Sequence, residues 1–163
     1  MSLLAWCQWL EHTPLALGIA ESTWLFPLIE GSHILTLPLS VGLIVLFDLR
    51  LLGLTFRGTP ASTIMTEALR WSKAGFAVMF VTGVLLFMTQ AGKAYGNAFF
   101  RAKLLLLLLL GINALVYQLI FYPKMAQWDG ARSTPVGARL CAALSLIGWI
   151  SVIVCGRTMA YQF

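Results

Sequence analysis

Seven consecutive leucines, Leu104 to Leu110, constrain this chain more than any other feature of its sequence. They lie within an apolar stretch over residues 98–122 that ends in the aromatic residues Phe121 and Tyr122. A helix of about 20 predominantly apolar residues is long enough to cross the hydrocarbon core of a bilayer. The stretch therefore predicts a membrane-spanning helix.

The composition extends this conclusion to the whole chain. Hydrophobic residues make up 60% of the 163 residues, charged residues only 10%, and the mean hydropathy is +0.86. A soluble domain carries about 25% charged residues, so a soluble globular domain is excluded. A chain of this length accommodates about four spans of roughly 20 residues. We therefore predict an all-α fold, an integral membrane four-helix bundle that forms a single domain over residues 1–163, with spans at residues 27–54, 74–92, 98–122 and 137–157.

Shorter features complete the predicted architecture. Residues 3–10 contain two tryptophans among apolar residues at helical spacing, which predicts a short N-terminal helix lying in the membrane interface. Pro38 lies inside the first span and removes one backbone hydrogen bond, so we expect a kink there. The polar segments 55–73 and 93–97 are predicted to connect spans, the first with room for a short helix after Ser62 and the second as a tight turn.

The basic residues indicate an orientation in the membrane. The net charge is +5, and the eleven Lys and Arg residues are spread over the flanks of the predicted spans. Seven of them fall in the connections 50–73 and 123–139, against four on the opposite side, and the positive-inside bias places the richer side in the cytoplasm. We therefore predict a multi-pass protein of the bacterial inner (plasma) membrane with both termini periplasmic. Charges spread in this way suit a lipid bilayer and do not indicate a nucleic-acid partner.

Ionisable residues inside the spans are the first candidates for function, because each one costs about 2.5–3.5 kcal/mol or more to insert at the centre of a bilayer. Glu30 and His33 begin the first span three residues apart, on one face of a helix. Arg101 and Lys103 begin the third span. With the predicted orientation, these residues share the outer leaflet at similar depth.

Each of these side chains allows two interpretations. His33 is either a helix-end histidine that bonds to the backbone or to Glu30, or an axial haem ligand inside the bundle. Lys103 either extends to the headgroups or pairs with Glu30 or a haem propionate. Glu30 is either an interfacial residue or the acceptor that orients the His33 ring. His12, the second of the chain's two histidines, is interpreted as a surface residue, although a bis-histidine haem would require it.

Other functional classes find little support. The three cysteines, Cys7, Cys141 and Cys155, lack the CxxC spacing of a zinc ribbon and the CxxCH motif of covalent haem attachment. Phosphate-binding and HExxH motifs are missing, and the methionines are too scattered to favour copper. Asp48 and Arg50 are expected to pair or to anchor the cytoplasmic edge, which is a structural role.

Two segments resemble known membrane proteins. The run from Glu30 to Leu35, followed by Asp48 to Leu52, resembles the first span of HemJ-like protoporphyrinogen oxidases and of CopD-like copper-resistance proteins. The run from Phe100 to Leu105 resembles the Ala-Lys-Leu-Leu segment that opens a later span of the same proteins. The chain is still more similar to an uncharacterised bacterial family of four-span proteins with the patterns WLFPLIEGSHIL, DLRLLGL and NAFFRAKLLLL.

The resemblance implies haem b as a cofactor and assigns functional roles to His33 and Lys103. Our prediction is a membrane-embedded protein that binds one b-type haem through His33, with Lys103 and Arg101 neutralising the propionates. It would serve in electron transfer or as the membrane partner of an oxidoreductase, and the resemblance leaves open whether it is itself an enzyme. Two alternatives are a non-catalytic subunit of a larger membrane complex and a transporter of a metal or small solute. The expected protein partner is a redox protein or a second copy of the chain.

Overall fold

The computed structural model describes residues 2–129 and 134–161 and contains, within them, seven helices and no strand. The helices are α1 (Leu3–Glu11), α2 (Pro14–Glu21), α3 (Leu25–Leu51), α4 (Ala61–Thr89), α5 (Ala91–Gly96), α6 (Ala98–Trp128) and α7 (Val136–Ala160). Four of them, α3, α4, α6 and α7, are long and apolar enough to cross a membrane. The predicted all-α four-span fold is therefore confirmed.

The largest error in the predicted boundaries concerns α4. The segment 61–73, predicted as part of a polar connection, forms the first turns of the helix. Its buried residues Met65, Ala68 and Ser72 recur at intervals of three and four, which places them on one face of a helix. The charged residues of the segment lie on the exposed face and carry the polarity that suggested a connection. The predicted turn at 93–97 is likewise replaced, over most of its length, by the short helix α5.

Pro38 disturbs α3 as expected, in the form of a π-helical turn over Pro38–Gly42. The backbone carbonyl of Ser40 in this turn accepts a hydrogen bond from the Ser72 hydroxyl of α4 at 2.8 Å. The two helices approach closely here, because a Cβ atom on Gly75 would lie 3.0 Å from the Ser40 backbone nitrogen. Gly75 thus allows α4 to approach the π-helical turn closely, and Ser72 supplies a hydrogen bond to the backbone carbonyl of Ser40 in that turn.

The N-terminal segment folds as two short helices rather than one. Ser2 and Thr13 cap α1 and α2 through their side-chain oxygens. Glu11 at the end of α1 accepts a hydrogen bond from the Gly92 backbone N–H of α5 at 2.9 Å. These contacts gather α1, α2 and α5 at one end of the bundle, which we call the terminal end. The opposite end, where α4 and α7 begin, is the loop end.

The four spans pack as two antiparallel hairpins. Helix α3 packs on α4, α6 packs on α7, and the second half of α3 also contacts α7. Helices α4 and α6 are bridged at both ends of the bundle, by stacked Phe87 and Phe100 rings 5.4 Å apart at the terminal end and by Ser62 and Asp129 at the loop end. Large apolar side chains cover the outer surface, with Leu119 of α6 73% exposed, as expected for helices that face lipid.

The loop-end bridge also caps a helix. Pro60 at the N-cap position of α4 offers no side-chain hydrogen bond, and the Asp129 carboxylate accepts the Ser62 backbone N–H at 3.1 Å and the Ser62 hydroxyl instead. Partial burial raises the pKa of the Asp129 carboxyl, but the hydrogen bonds from Ser62 and the charge of Arg50 lower it more. The pKa therefore lies below its ordinary value of 3.8, and the ionised carboxylate stabilises the fold.

We expect Asp129→Ala to lower the free energy of unfolding by about 0.5–2 kcal/mol, the usual effect of losing a helix cap, whereas Asp129→Asn keeps an acceptor oxygen and loses less. The stabilisation by the Asp129 carboxylate is complete above the pKa of this group in the unfolded chain. It is lost as the pH falls through the lower pKa of the folded protein. Thermal unfolding in detergent should therefore separate wild type from Asp129→Ala at about pH 7 and bring them together well below about pH 4. Equal melting temperatures at neutral pH would contradict the capping role.

Candidate functional site

The His33 ring is held in one orientation by Thr82 of the neighbouring helix. His33 is half-buried in α3, and its Nδ1 lies 2.8 Å from the Thr82 hydroxyl oxygen. That hydroxyl donates its single proton to the Val78 carbonyl at 2.7 Å, so it accepts a hydrogen bond from Nδ1–H. This network assigns the proton to Nδ1 and leaves the lone pair on Nε2.

Helix α4 also provides the space for the ring. A Cβ atom on Gly83 would lie 3.3 Å from Cε1 of His33, a tight contact that a larger side chain would turn into a clash. The Met79 carbonyl faces the same ring. The imidazole is therefore held against α4 both by close packing on Gly83 and by its hydrogen bond to Thr82. One ring nitrogen remains available as a ligand.

Lys103 approaches the same level of the bundle from the other hairpin. Its Nζ lies 3.7 Å from the place that a Cβ atom on Gly156 of α7 would occupy, and it lies close to Cys155. Lys103 and His33 are within electrostatic range of each other. Two of the predicted site residues thus lie at a similar level on different hairpins, and we call the group of His33, Thr82 and Lys103 the His33 site.

The other predicted site residues lie outside this group. Glu30 and Arg101 are exposed, and the ring nitrogen that Glu30 was expected to bind is occupied by Thr82. Thr82 therefore orients the His33 ring, and the interfacial role of Glu30 stays a prediction. His12 is exposed at the end of α1, where its Nδ1 lies 2.7 Å from the Gln8 carbonyl, in agreement with its interpretation as a surface residue.

The ligand set of the His33 site is a single imidazole. Within residues 2–129 and 134–161, no group of three or more His, Cys, Asp or Glu side chains is close enough to hold a metal ion. The chemistry available at the site is therefore that of one neutral imidazole nitrogen, an adjacent hydroxyl and a half-buried ammonium group.

A second polar site, which sequence reasoning missed, lies nearer the loop end. Asp48 is only 5% exposed and lines a cavity of about 380 Å³ to which all four spans contribute. The pair with Arg50, one of the two structural roles expected for Asp48, is not formed, and the Arg50 Nε–H donates to the Thr59 carbonyl at 2.7 Å. The only sequence signal for this site was a carboxylate one turn before the end of the first span, which equally describes an interfacial anchor.

Comparison with known proteins identifies the family. The model of a family of unknown function, DUF6644, matches residues 18–162, and the chain belongs to this family. The predicted membership of an uncharacterised family is thereby confirmed. Searches of curated proteins and of solved structures found no match.

The hydrogen-bond network at His33 makes a prediction about its tautomer. We expect the ¹⁵N spectrum of histidine-labelled protein in detergent at neutral to alkaline pH to show His33 protonated at Nδ1, with the His12 signals identified from a His12→Gln variant. Thr82→Val keeps the shape of the side chain and removes the acceptor, so it should mix the tautomers and cost roughly 1 kcal/mol of stability. A wild-type His33 protonated at Nε2 would contradict the assignment.

Proposed function

We propose that this protein is a membrane-embedded b-type haem protein that serves in electron transfer or as the membrane partner of an oxidoreductase, in which His33 would hold the haem iron. The observation that carries the proposal is the hydrogen bond from Nδ1 of His33 to Thr82. With the proton on Nδ1, the lone pair of the neutral ring is on Nε2. Metal-ligating histidines typically have their second ring nitrogen fixed in this way.

The donor set fits the cofactor. A porphyrin supplies four iron ligands itself, so one imidazole is sufficient where a bare metal ion would need several protein ligands. Bound haem would supply one-electron chemistry through its iron. Thr82 would hold the imidazole and increase its basicity, and Lys103 would bind a propionate, with Arg101 at the helix start as a second cation. His33 does not line the cavity of about 380 Å³ that contains Asp48. The haem proposal therefore depends on the orientation of the His33 ring and not on that cavity.

The resemblance of two segments to HemJ-like proteins supports a role for the same residues. In HemJ-like proteins a His and a Lys are the important polar residues and haem b is bound, and the two segments of this chain that resemble those proteins contain His33 and Lys103. We also propose that the protein lies in the inner membrane of a bacterium, with both termini in the periplasm and the His33 site in the outer leaflet.

We expect the purified wild-type protein, produced in haem-replete cells, to show a Soret band that His33→Ala abolishes. Lys103→Met keeps the length and apolar stem of the side chain while removing its charge, so it should retain the band and release haem faster to a haem scavenger. A loss of about 1–3 kcal/mol in affinity, the effect of removing a charged hydrogen bond, corresponds to roughly 5- to 150-fold.

The controls are His12→Ala, which removes the surface histidine, and Lys93→Met, which removes an exposed charge from α5. Both should match wild type in haem content and release rate. A wild-type protein that takes up no haem, even when reconstituted with haemin in detergent, would overturn the proposal, and so would a Soret band unchanged in His33→Ala.

The orientation has its own test. In a variant without native cysteines, a cysteine at Thr59 should react with a thiol reagent only when the reagent reaches the cytoplasm. Ser133, a second suitable position in the other connection, lies outside the described residues, as does Arg132 of the basic set. Labelling of position 59 from the periplasm would reverse the orientation and move the His33 site to the inner leaflet.

A further inference from the structure

The cavity that contains Asp48 extends from the loop end to the middle of the bundle. Its wall on α4 runs from Met65 to Phe76, a length of about 16 Å at 1.5 Å per residue. It lies between the Phe87–Phe100 stack and the Ser62–Asp129 bridge that connect α4 and α6. A volume of about 380 Å³ is within the usual range for small-molecule sites, about 300–1,000 Å³.

Asp48 is a carboxyl group without a basic partner on the described wall of this cavity. Its side chain is 95% buried, and Oδ2 has no hydrogen-bond partner among the described residues. The Ser145 hydroxyl lies beside the group. Of the described residues that line the cavity, none is Lys, Arg or His. A carboxyl group buried without a charged partner favours its neutral, protonated form, and a ligand that brings a positive charge would stabilise the ionised form.

The remaining polar groups on the wall already use part of their donor capacity. The Ser72 hydroxyl donates to the Ser40 carbonyl at 2.8 Å, and the Asn113 amide donates to the Cys141 carbonyl at 3.0 Å. The Ser72 oxygen and the Asn113 carbonyl are left as acceptors. Tyr117 is buried, and its hydroxyl has no partner in the described structure. Gln118 and the Trp149 indole add neutral donors, so the wall offers donors and acceptors beside a single carboxyl group.

Aromatic rings form much of the rest of the wall. Phe47 and Tyr117 pack edge to face with their centroids 5.6 Å apart, and Phe76 and Trp149 lie 5.5 Å apart on the side nearer the terminal end. The faces of such rings attract ammonium groups, most strongly when water is excluded. A carboxylate next to several rings is the chemistry that recognises an organic cation.

We propose that the cavity binds a monovalent organic cation, an amine or quaternary ammonium with an apolar body, with Asp48 as its counter-ion. The apolar walls hold the body of the ligand, and the rings of Tyr117 and Trp149 contact the charged group or its substituents. An inorganic divalent cation does not fit, because it requires several oxygen ligands and the cavity offers one carboxylate among mostly apolar residues. An anion finds no basic residue on the described wall.

The probe for this site is benzyltrimethylammonium, titrated into the purified protein in a neutral detergent and followed by calorimetry. We expect saturable 1:1 binding that Asp48→Asn weakens on the order of tenfold or more, as close charge pairs do. Trp149→Leu should weaken it about two- to thirtyfold, the range of a cation–π contact. The matched control is Glu67→Gln, which removes an exposed carboxylate from α4 outside the cavity and should bind as wild type does.

A second measurement keeps the test valid if Asp48→Asn fails to fold. In the Cys7→Ser, Cys155→Ser background, Cys141 on the cavity wall is the remaining thiol, and bound cation should protect it from methyl methanethiosulfonate. The proposal is overturned if wild type shows no saturable binding, or if folded Asp48→Asn binds with wild-type affinity. It is also overturned if 2,2-dimethylpropylbenzene, the neutral isostere of the probe, protects Cys141 equally well.

Discussion

The hydrogen bond between His33 and Thr82 shows the constraint on which the rest of this structure depends. Hydrocarbon offers no hydrogen-bond partners, so a polar group in a span has to find its partner inside the bundle. Thr82 bonds to its own helix and to His33, and Ser72 binds the carbonyl of Ser40 at the π-helical turn. Asn113 joins α6 to the backbone of α7. These side chains fix how α3 is rotated against α4 and how α6 is rotated against α7.

Sequence patterns predict the parts of the fold that depend on one helix at a time. The four spans, the disturbance at Pro38 and the N-terminal helical segment follow from length, hydropathy and backbone chemistry. The start of α4 was missed, because charged residues on an exposed helix face resemble a connection when only composition is considered. Of the predicted site residues, His33 and Lys103 lie within electrostatic range of each other, whereas Glu30 and Arg101 are exposed, and their role in binding a cofactor stays a prediction.

The partners across helices could not be predicted from the sequence, for a physical reason. In a membrane bundle the lipid-facing and interior faces are both apolar, so the pattern does not show which way each helix is turned. The sequence therefore did not identify Thr82 as the partner of His33, and Asp48 looked like an interfacial anchor near Arg50. The two polar sites lie at different levels along the α3–α4 interface, and Ser40 links them by contacting Met79 and Ser72.

The central claim is that Nε2 of His33 ligates a haem iron, and pulsed electron paramagnetic resonance of the ferric protein tests it most directly. With ¹⁵N-labelled histidine, the account predicts a coupling between the iron and one histidine nitrogen in wild type and in His12→Ala. The coupling should be lost in His33→Ala. A haem signal without histidine coupling, or a coupling that persists in His33→Ala, would contradict the account.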